Sequence, residues 1–226
     1  MTAITSAIMR KTMRLVNNAP IVSISGIDGS GKSGLIEALV RKFREAGINA
    51  ASMRFDLEDI VSGYSLPDYI YSLHASADER IAEEIIADCI AFEYMRFYMK
   101  AVAAREPDLD LLILDRYLWD YLLTNDIAFN ALTDTQRTLM KVLPMPTVSI
   151  FLDCDVEITL ARIMNRAQVR TKLEREDILK IKRQRYIQLG AEMGGVVIDA
   201  AQSREQVLED AMAAVLPHVV TSEANI

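Results

Sequence analysis

The chain has 226 residues, of which 51% are hydrophobic, and this length and composition predict one well-buried domain rather than two. Its net charge is −7 and it contains no long basic block, which argues against a nucleic-acid backbone as its ligand. No apolar run reaches the roughly 18 residues that a transmembrane helix needs, so no membrane span is predicted.

The N-terminal residues 1–19 form a predicted arm ahead of the domain. They contain Arg10, Lys11 and Arg14 but no acidic residue, a composition that transit peptides share. Their apolar run is too short and broken for a secretory signal. We interpret the segment as a disordered or loosely docked arm, with a transit peptide as the alternative.

The two cysteines, Cys89 and Cys154, lie inside apolar patterns. Buried thiols in a reducing compartment explain them better than a disulfide framework, which favours a cytoplasmic protein. With two histidines in the whole chain, a zinc site is not expected.

Residues 26–33 read GIDGSGKS, a full match to the pattern G-x-x-x-x-G-K-[ST] between an apolar strand pattern and an amphipathic helix pattern. The glycines let successive backbone N–H groups point at an anion without Cβ clashes. Lys32 supplies a charge for the β and γ phosphates, and the Ser33 hydroxyl suits Mg²⁺. This predicts a site for the phosphates of a nucleoside triphosphate with Mg²⁺; a glycine-rich structural turn is the alternative.

Asp28 lies inside this loop, where a carboxylate is unfavourable beside bound phosphates. It is expected to hydrogen-bond a substrate sugar hydroxyl or to orient a metal-bound water. The alternative is a bond from its carboxylate to backbone N–H groups of the loop itself.

Five strand-like runs alternate with helical segments, a pattern that predicts an α/β fold with a parallel sheet covered on both faces. The runs lie near 20–25, 48–54, 110–115, 147–153 and 195–199. Helices are predicted over 32–46, 77–105, 118–130, 134–142, 155–166, 174–192 and 204–216. One domain would span 20–217, with a tail over 218–226 and a loop over the site at 55–70. Predicted helix N-caps are Asp134, Asp155 and Ser203, the last in a capping box with Gln206, and Gly47 is a predicted C-cap.

Asp115 closes the apolar strand DLLILD and is followed by Arg116. A carboxylate at the end of a strand beside the phosphate loop can hold a Mg²⁺-bound water, and the adjacent guanidinium can bind an incoming phosphate. The alternative is a structural Asp–Arg pair at a strand end.

Phe92 and Arg96 share one face of the long predicted helix, on its apolar stripe. The ring could stack on a planar base and the guanidinium could donate to a base carbonyl. Core packing, with the arginine reaching an acid, is the alternative.

Arg162, Arg166 and Arg170 follow one another at spacings of four residues, so a continuous helix would present three guanidiniums along one side. They form a candidate lid that neutralises charge on a transferred phosphoryl group. The alternative is a solvated helix face in which Glu174 pairs with Arg170.

From about residue 20 to residue 216 the chain resembles the thymidylate kinase family of P-loop nucleoside-monophosphate kinases. The resemblance rests on GIDGSGKS, on Phe92-x-x-x-Arg96, on LDRY at 114–117 and on the segments FLDCDVEITLARI and VVIDAAQSREQV. It implies a three-layer fold with a five-stranded parallel sheet in the order 2-3-1-4-5, a homodimer, and ATP with Mg²⁺ as cofactors.

The resemblance also implies roles for individual residues. A lid near 166–175 would supply the catalytic arginines, so the expected catalytic set is Lys32, Arg166, Arg170 and Asp115. The expected metal ligands are Ser33 and Asp115. ATP would be bound by Gly26, Asp28, Gly29, Ser30, Gly31, Lys32, Ser33, Gly34 and Arg162. The acceptor would be bound by Asp28, Phe92, Arg96, Arg116 and Tyr117.

The sequence departs from the family after the second strand, where MRFDLEDIVSGYSLPD at 53–68 replaces the family's Glu-Pro-Gly-Gly-Thr turn. Trp119 and Asp120 also replace residues that the family places near the sugar and base. The leading hypothesis is therefore ATP-dependent phosphorylation of a (deoxy)pyrimidine nucleoside monophosphate, dTMP-like or a modified relative. The alternatives are a kinase of a free nucleoside or other small hydroxyl acceptor, and a nucleotide-binding regulatory module with little turnover. Neither nucleic acid nor a membrane is an expected partner.

Overall fold

The computed structural model describes residues 19–54, 109–117, 119–120, 123, 145–166 and 174–219. In these ranges the elements are, in chain order, β1 Ile21–Gly26, α1 Lys32–Glu45, β2 Ala50–Arg54, β3 Leu111–Asp115, β4 Val148–Asp153, α2 Val156–Met164, α3 Glu176–Glu192, β5 Val196–Asp199 and α4 Arg204–Val219. All five predicted strands are confirmed, with ends shifted by at most two residues. The predicted helices 77–105 and 134–142, the loop 55–70, Cys89 and residues 1–18 of the arm lie outside the described residues.

The strands form one parallel sheet in the order β2-β3-β1-β4-β5, as predicted. β1 lies at its centre between β3 and β4, and every residue of β1 and β3 is buried. Ile24 of β1 is in register with Asp115 of β3, and Gly26 is in register with Leu152 of β4. The carboxyl ends of the three central strands therefore meet at one edge, where parallel sheets bind ligands.

Alternating side chains of the strands enter two separate apolar cores, one on each face of the sheet. On one face Ile21, Leu112 and Phe151 pack with residues of α2 and α3, including Ile163 and Leu179. On the other face the partners belong to α1 and α4: the core there includes Val22, Ile24, Leu39, Phe43, Ile113, Val207, Ala211 and Val215. The predicted three-layer arrangement is confirmed.

The helix ends follow the predicted capping residues in part. Gly47 has φ 83° and donates its N–H to the Arg44 carbonyl at 3.0 Å, which fits its predicted place at the end of α1. The Ser203 Oγ accepts the Gln206 N–H at 3.2 Å, but the Gln206 side chain donates to Asp210 instead of returning to Ser203. Only half of the predicted capping box is therefore formed.

Two further helix ends differ from prediction. Asp155 occupies the N-cap position of α2 without a side-chain cap bond, because its carboxylate pairs with Arg183. The last helix continues to the buried Val219, so residue 218, where the tail was predicted to begin, lies inside it. In the described ranges no helix has both the length and the apolar character needed to cross a bilayer.

Candidate active site

The glycine-rich loop joins β1 to α1 in the strand–loop–helix context that its sequence predicts. The loop backbone approaches β4 and α2 closely, and it can do so only because glycine has no side chain. A Cβ on Gly29, whose φ is 82°, would lie 2.7 Å from the Thr159 carbonyl oxygen, and one on Gly26 would lie 2.8 Å from that of Leu152. Packing against β4 and α2 thus fixes the loop at the edge of the sheet.

Lys32, the first residue of α1, is buried in this loop. Its Nζ donates to the carbonyl oxygens of Gly26 at 2.8 Å and Ile27 at 2.9 Å. Burial lowers the pKa of Lys32 to about 8; Arg116 acts in the same direction, and Asp28, Asp115 and Asp120 oppose it. The ammonium group therefore lies within the loop, and an anion bound beside it would raise its pKa.

Asp115 ends β3 beside the loop and is 6% exposed. Its Oδ1 atom is buried, and no partner for it exists among the described residues. A buried carboxylate oxygen requires a donor or a cation. Ser33, by contrast, is exposed on the first turn of α1. These oxygen donors fit Mg²⁺, which keeps waters and binds nucleotide phosphates together with few protein groups. Within the described ranges there is no cluster of three or more acidic, His or Cys side chains that could hold a metal ion.

Arg116 pairs with Asp28 across the site, and this pair was not predicted. Its Nη2 donates to Asp28 Oδ1 at 2.6 Å, and its backbone N–H donates to the Ile24 carbonyl at 3.1 Å. Within the described residues Asp115 and Arg116 do not form the structural pair considered as an alternative, and Asp28 bonds a side chain rather than the N–H groups of its loop. Burial by itself would raise the pKa of Asp28, but the charges of Lys32 and Arg116 outweigh this effect and bring the pKa below its ordinary value. The carboxyl group is therefore ionised.

A buried hydrogen-bond network lies behind Arg116 and is centred on Asp120, which is 1% exposed. Asp120 accepts bonds from Ser25 Oγ at 2.7 Å, from the Tyr117 N–H at 2.8 Å and from the Tyr186 hydroxyl at 2.8 Å. Its Oδ1 is also 3.6 Å from Arg116 Nη1. Burial raises the pKa values of Asp120 and Tyr186. The network ties β1, α3 and the segment after β3 together beneath the Arg116 guanidinium.

Arg162 and Arg166 do not share one helix, which corrects the sequence interpretation of a continuous helix through this segment. α2 ends at Met164, so Arg166 lies beyond it. Arg162 donates to the Ala200 carbonyl at 3.0 Å and lies 3.4 Å from the Ser30 carbonyl, which places it between the phosphate loop and the end of β5. Arg166 pairs with the buried Glu174, the residue considered as a partner for Arg170.

The remaining predicted site residues divide into two groups. Phe92, Arg96 and Arg170 lie outside the described residues. Tyr117 is 1% exposed, with its ring 4.4 Å from that of Trp119, so its contact with an acceptor stays a prediction. Gly34 is exposed and a Cβ there would meet nothing within 4 Å.

Sequence reasoning missed Lys182, which is 7% exposed and lies on α3 near Asp28, Arg116 and Asp120. Its signal is nevertheless in the sequence. The buried face of α3 carries residues at spacings of three, four and three, so a lysine falls on an otherwise apolar stripe. These residues are Leu179, Lys182, Tyr186 and Leu189.

The strand order, the glycine-rich loop with its buried lysine and the cationic strand end beside it together define a P-loop kinase, an α/β phosphotransferase. A family model described as thymidylate kinase matches residues 24–211. The chain therefore belongs to the thymidylate kinase family and is a nucleoside-monophosphate kinase.

Individual relatives agree with this assignment. The chain is 28% identical over 193 residues to a probable thymidylate kinase of Pyrobaculum aerophilum, and the aligned region covers 84% of this chain and 92% of that protein. It is 28% identical over 206 residues to probable thymidylate kinase 1 of Saccharolobus solfataricus, with 85% and 94% covered. It is 30% identical over 206 residues to a thymidylate kinase of Xanthomonas oryzae pv. oryzae, with 91% and 86% covered.

Proposed function

We propose that the protein transfers the γ-phosphoryl group of Mg²⁺-ATP to the phosphate of a (deoxy)pyrimidine nucleoside monophosphate, namely dTMP or a modified relative. The supporting observation is Arg116, held by Asp28 at the end of β3, one strand away from the phosphate loop. A charged guanidinium in that place is suited to an anionic acceptor lying next to the donor. The names of the relatives support dTMP as the acceptor.

The donor side uses the loop and the groups at its ends. Backbone N–H groups of the loop would bind the phosphates of ATP, with Lys32 neutralising the β and γ oxygens. Ser33 and Asp115 would hold Mg²⁺, which supplies positive charge to the phosphates when it is bound. Arg162, which contacts the carbonyl oxygens of Ser30 in the loop and of Ala200 after β5, would add a positive charge beside the ATP phosphates.

On the acceptor side, an oxygen of the monophosphate attacks the γ phosphorus directly. The new P–O bond forms as the bond between the γ phosphorus and the β–γ bridging oxygen breaks, and ADP leaves. No protein base is needed because the phosphate oxygen is already a nucleophile. Arg116 would orient it, Phe92 and Arg96 would bind the base, and Arg166 and Arg170 would neutralise charge on the transferred group.

A coupled assay of ADP release across nucleoside monophosphates and free nucleosides tests this proposal. The highest kcat/KM is expected with dTMP or a modified deoxypyrimidine monophosphate, and thymidine should be a poor acceptor. Preference for an unphosphorylated acceptor would contradict the proposal, as would failure to phosphorylate any monophosphate.

We also propose that the protein is a cytoplasmic homodimer, on the ground of its family membership alone. Light scattering at micromolar concentration would test the dimer. A monomeric mass at all concentrations would contradict it.

A further inference from the structure

One buried cation near the site has no part in the function proposed above. Lys182 is 7% exposed and lies on the buried face of α3. Lysine is rarely buried without a partner, because desolvating its charge is costly. In the described part of the chain Lys182 forms no side-chain hydrogen bond or ion pair, in contrast to its neighbour Arg183, which bonds both oxygens of Asp153.

Two contacts of α3 fix the position of Lys182 relative to the site. Arg183, the next residue, binds Asp153 at the carboxyl end of β4, so this turn of α3 lies at the height of the ligand-binding edge. Four residues after Lys182, the Tyr186 hydroxyl binds Asp120, so this face of α3 is turned toward the segment after β3. Four residues correspond to about 6 Å along a helix, which places Lys182 above Tyr186, on the side of the phosphate loop.

The charges around Lys182 identify the kind of ligand that it suits. Its ammonium group is near enough to Asp28, Arg116 and Asp120 to interact with all three. The Asp28 carboxylate is paired with Arg116, and the Asp120 carboxylate accepts hydrogen bonds from Ser25 and Tyr186. Burial lowers the pKa of Lys182, as expected for a cation that lacks a close anionic partner. A phosphate beside Arg116 would supply the missing acceptor oxygens.

We infer that Lys182 is a second phosphate-binding cation of the acceptor pocket, which donates to the monophosphate from α3 while Arg116 donates from the end of β3. This inference rests on the proposed function and deepens it. Two cations from two different elements make the pocket selective for an acceptor with a doubly charged phosphate. A free nucleoside would leave both of them without an acceptor.

The test compares Lys182→Met, which keeps the length of the side chain and removes its charge, with Lys182→Arg. Lys180→Met is the matched control, since Lys180 lies on the exposed face of the same helix and pairs with Glu176 at 2.7 Å. Binding of dTMP and of thymidine is measured by calorimetry, and KM values for dTMP and ATP by the ADP-release assay.

Lys182→Met is expected to weaken dTMP binding about 10- to 100-fold, the usual loss for one charge-assisted hydrogen bond. Thymidine binding and the KM for ATP should change less than about twofold, Lys182→Arg should recover part of the loss, and Lys180→Met should behave as wild type. Unchanged dTMP affinity in Lys182→Met, or an equal loss for dTMP and thymidine, would overturn the inference while leaving the kinase proposal intact. A wild-type protein that binds no monophosphate would overturn both.

If Lys182→Met does not unfold cooperatively, the wild-type protein still provides a test. Its lysines can be labelled as ¹³C-dimethyl amines and the Lys182 resonance identified by its absence in Lys182→Arg. Addition of dTMP should shift that resonance more than addition of thymidine does. Equal shifts with the two ligands would overturn the inference.

Discussion

Arg116 has an unfavourable backbone conformation at the end of β3, beside the phosphate loop. Its φ of 77° makes it the one non-glycine residue with positive φ in the described ranges. A left-handed conformation costs a side-chain-bearing residue about 1 kcal/mol or more, and such residues concentrate at functional sites. The backbone bond to Ile24 and the ion pair with Asp28 hold Arg116 there.

For Arg116→Ala we expect kcat/KM for the acceptor to fall by about 100-fold or more, with ATP affinity changed less than about threefold. The reason is that the proposed acceptor phosphate would bind its guanidinium. Arg116→Gly should lose as much activity yet be about 1 kcal/mol more stable than Arg116→Ala, because glycine tolerates positive φ. Steady-state kinetics and urea unfolding measure both. Parallel losses for ATP and acceptor would refute the assignment.

Lys32 gives the site a pH dependence. Its pKa of about 8 in the folded chain is below its ordinary value of 10.5. The cost of burying its charge is therefore present below about pH 8, and it disappears as the pH rises toward 10.5. The contribution of Lys32 to the free energy of unfolding therefore increases as the pH rises from about 8 to 10.5.

Because bound phosphates favour the charged amine, ATP binding at pH 8.5 should take up roughly 0.5 to 0.8 of a proton. Calorimetry in buffers with different ionisation enthalpies measures this uptake. In Lys32→Arg, whose side chain is always charged, it should vanish while some affinity is kept. An equal uptake by this variant would mean that another group titrates.

At the level of secondary structure, the sequence predicts where elements begin and end better than what their side chains contact. Apolar periodicity and the capping glycine Gly47 are local signals, and the strands and α1 follow them. Arg166 illustrates the limit: a row of arginines at helical spacing predicts a continuous helix, whereas α2 ends at Met164 and Arg166 turns to Glu174. Tertiary pairing thus overrides a periodic pattern of charges.

The junction between α3 and β4 depends on Arg183, which binds Asp153 and Asp155. We expect Arg183→Leu to lower the free energy of unfolding by about 1–2 kcal/mol, a moderate value because the site is partly exposed. Arg175→Ala, which removes a pair whose side chains are 65% and 60% exposed, is the control and should cost less than about 0.5 kcal/mol. Chemical denaturation distinguishes the two, and similar costs would show that Arg183 is not an anchor.

At the scale of the molecule, the parallel topology creates the site from distant parts of the chain. Asp28 and Arg116 are 88 residues apart, Ser25 and Asp120 are 95, and Tyr186 and Asp120 are 66. The fold class, the phosphate loop and the positions of Asp115 and Arg116 could be predicted because motifs and strand ends carry them. The Asp28–Arg116 pair and the role of Asp120 could not, because they depend on side-chain contacts between distant segments, which neither a local pattern nor the strand order specifies.

Since the proposed donor site lies between the central strand and the helix that follows it, ATP should stabilise the whole domain. At a free concentration about 100 times its Kd, Mg²⁺-ATP is expected to add about 2.7 kcal/mol to the free energy of unfolding. Lys32→Ala should lose most of this gain while still folding. Thermal unfolding with and without nucleotide measures it. A gain of the same size in Lys32→Ala would indicate that the nucleotide binds elsewhere.

Trp119 is the sole tryptophan of the chain. It is fully buried, donates its Nε1–H to Ser25 Oγ at 2.9 Å and lies against Tyr117 and Phe151. Under excitation that is selective for indole, the emission therefore comes from a single side chain, which is hydrogen-bonded to Ser25 of the Asp120 network. Without any added dye, changes in emission wavelength or intensity would report on events beneath the proposed acceptor pocket, so acceptor engagement could be followed in real time by stopped-flow optics.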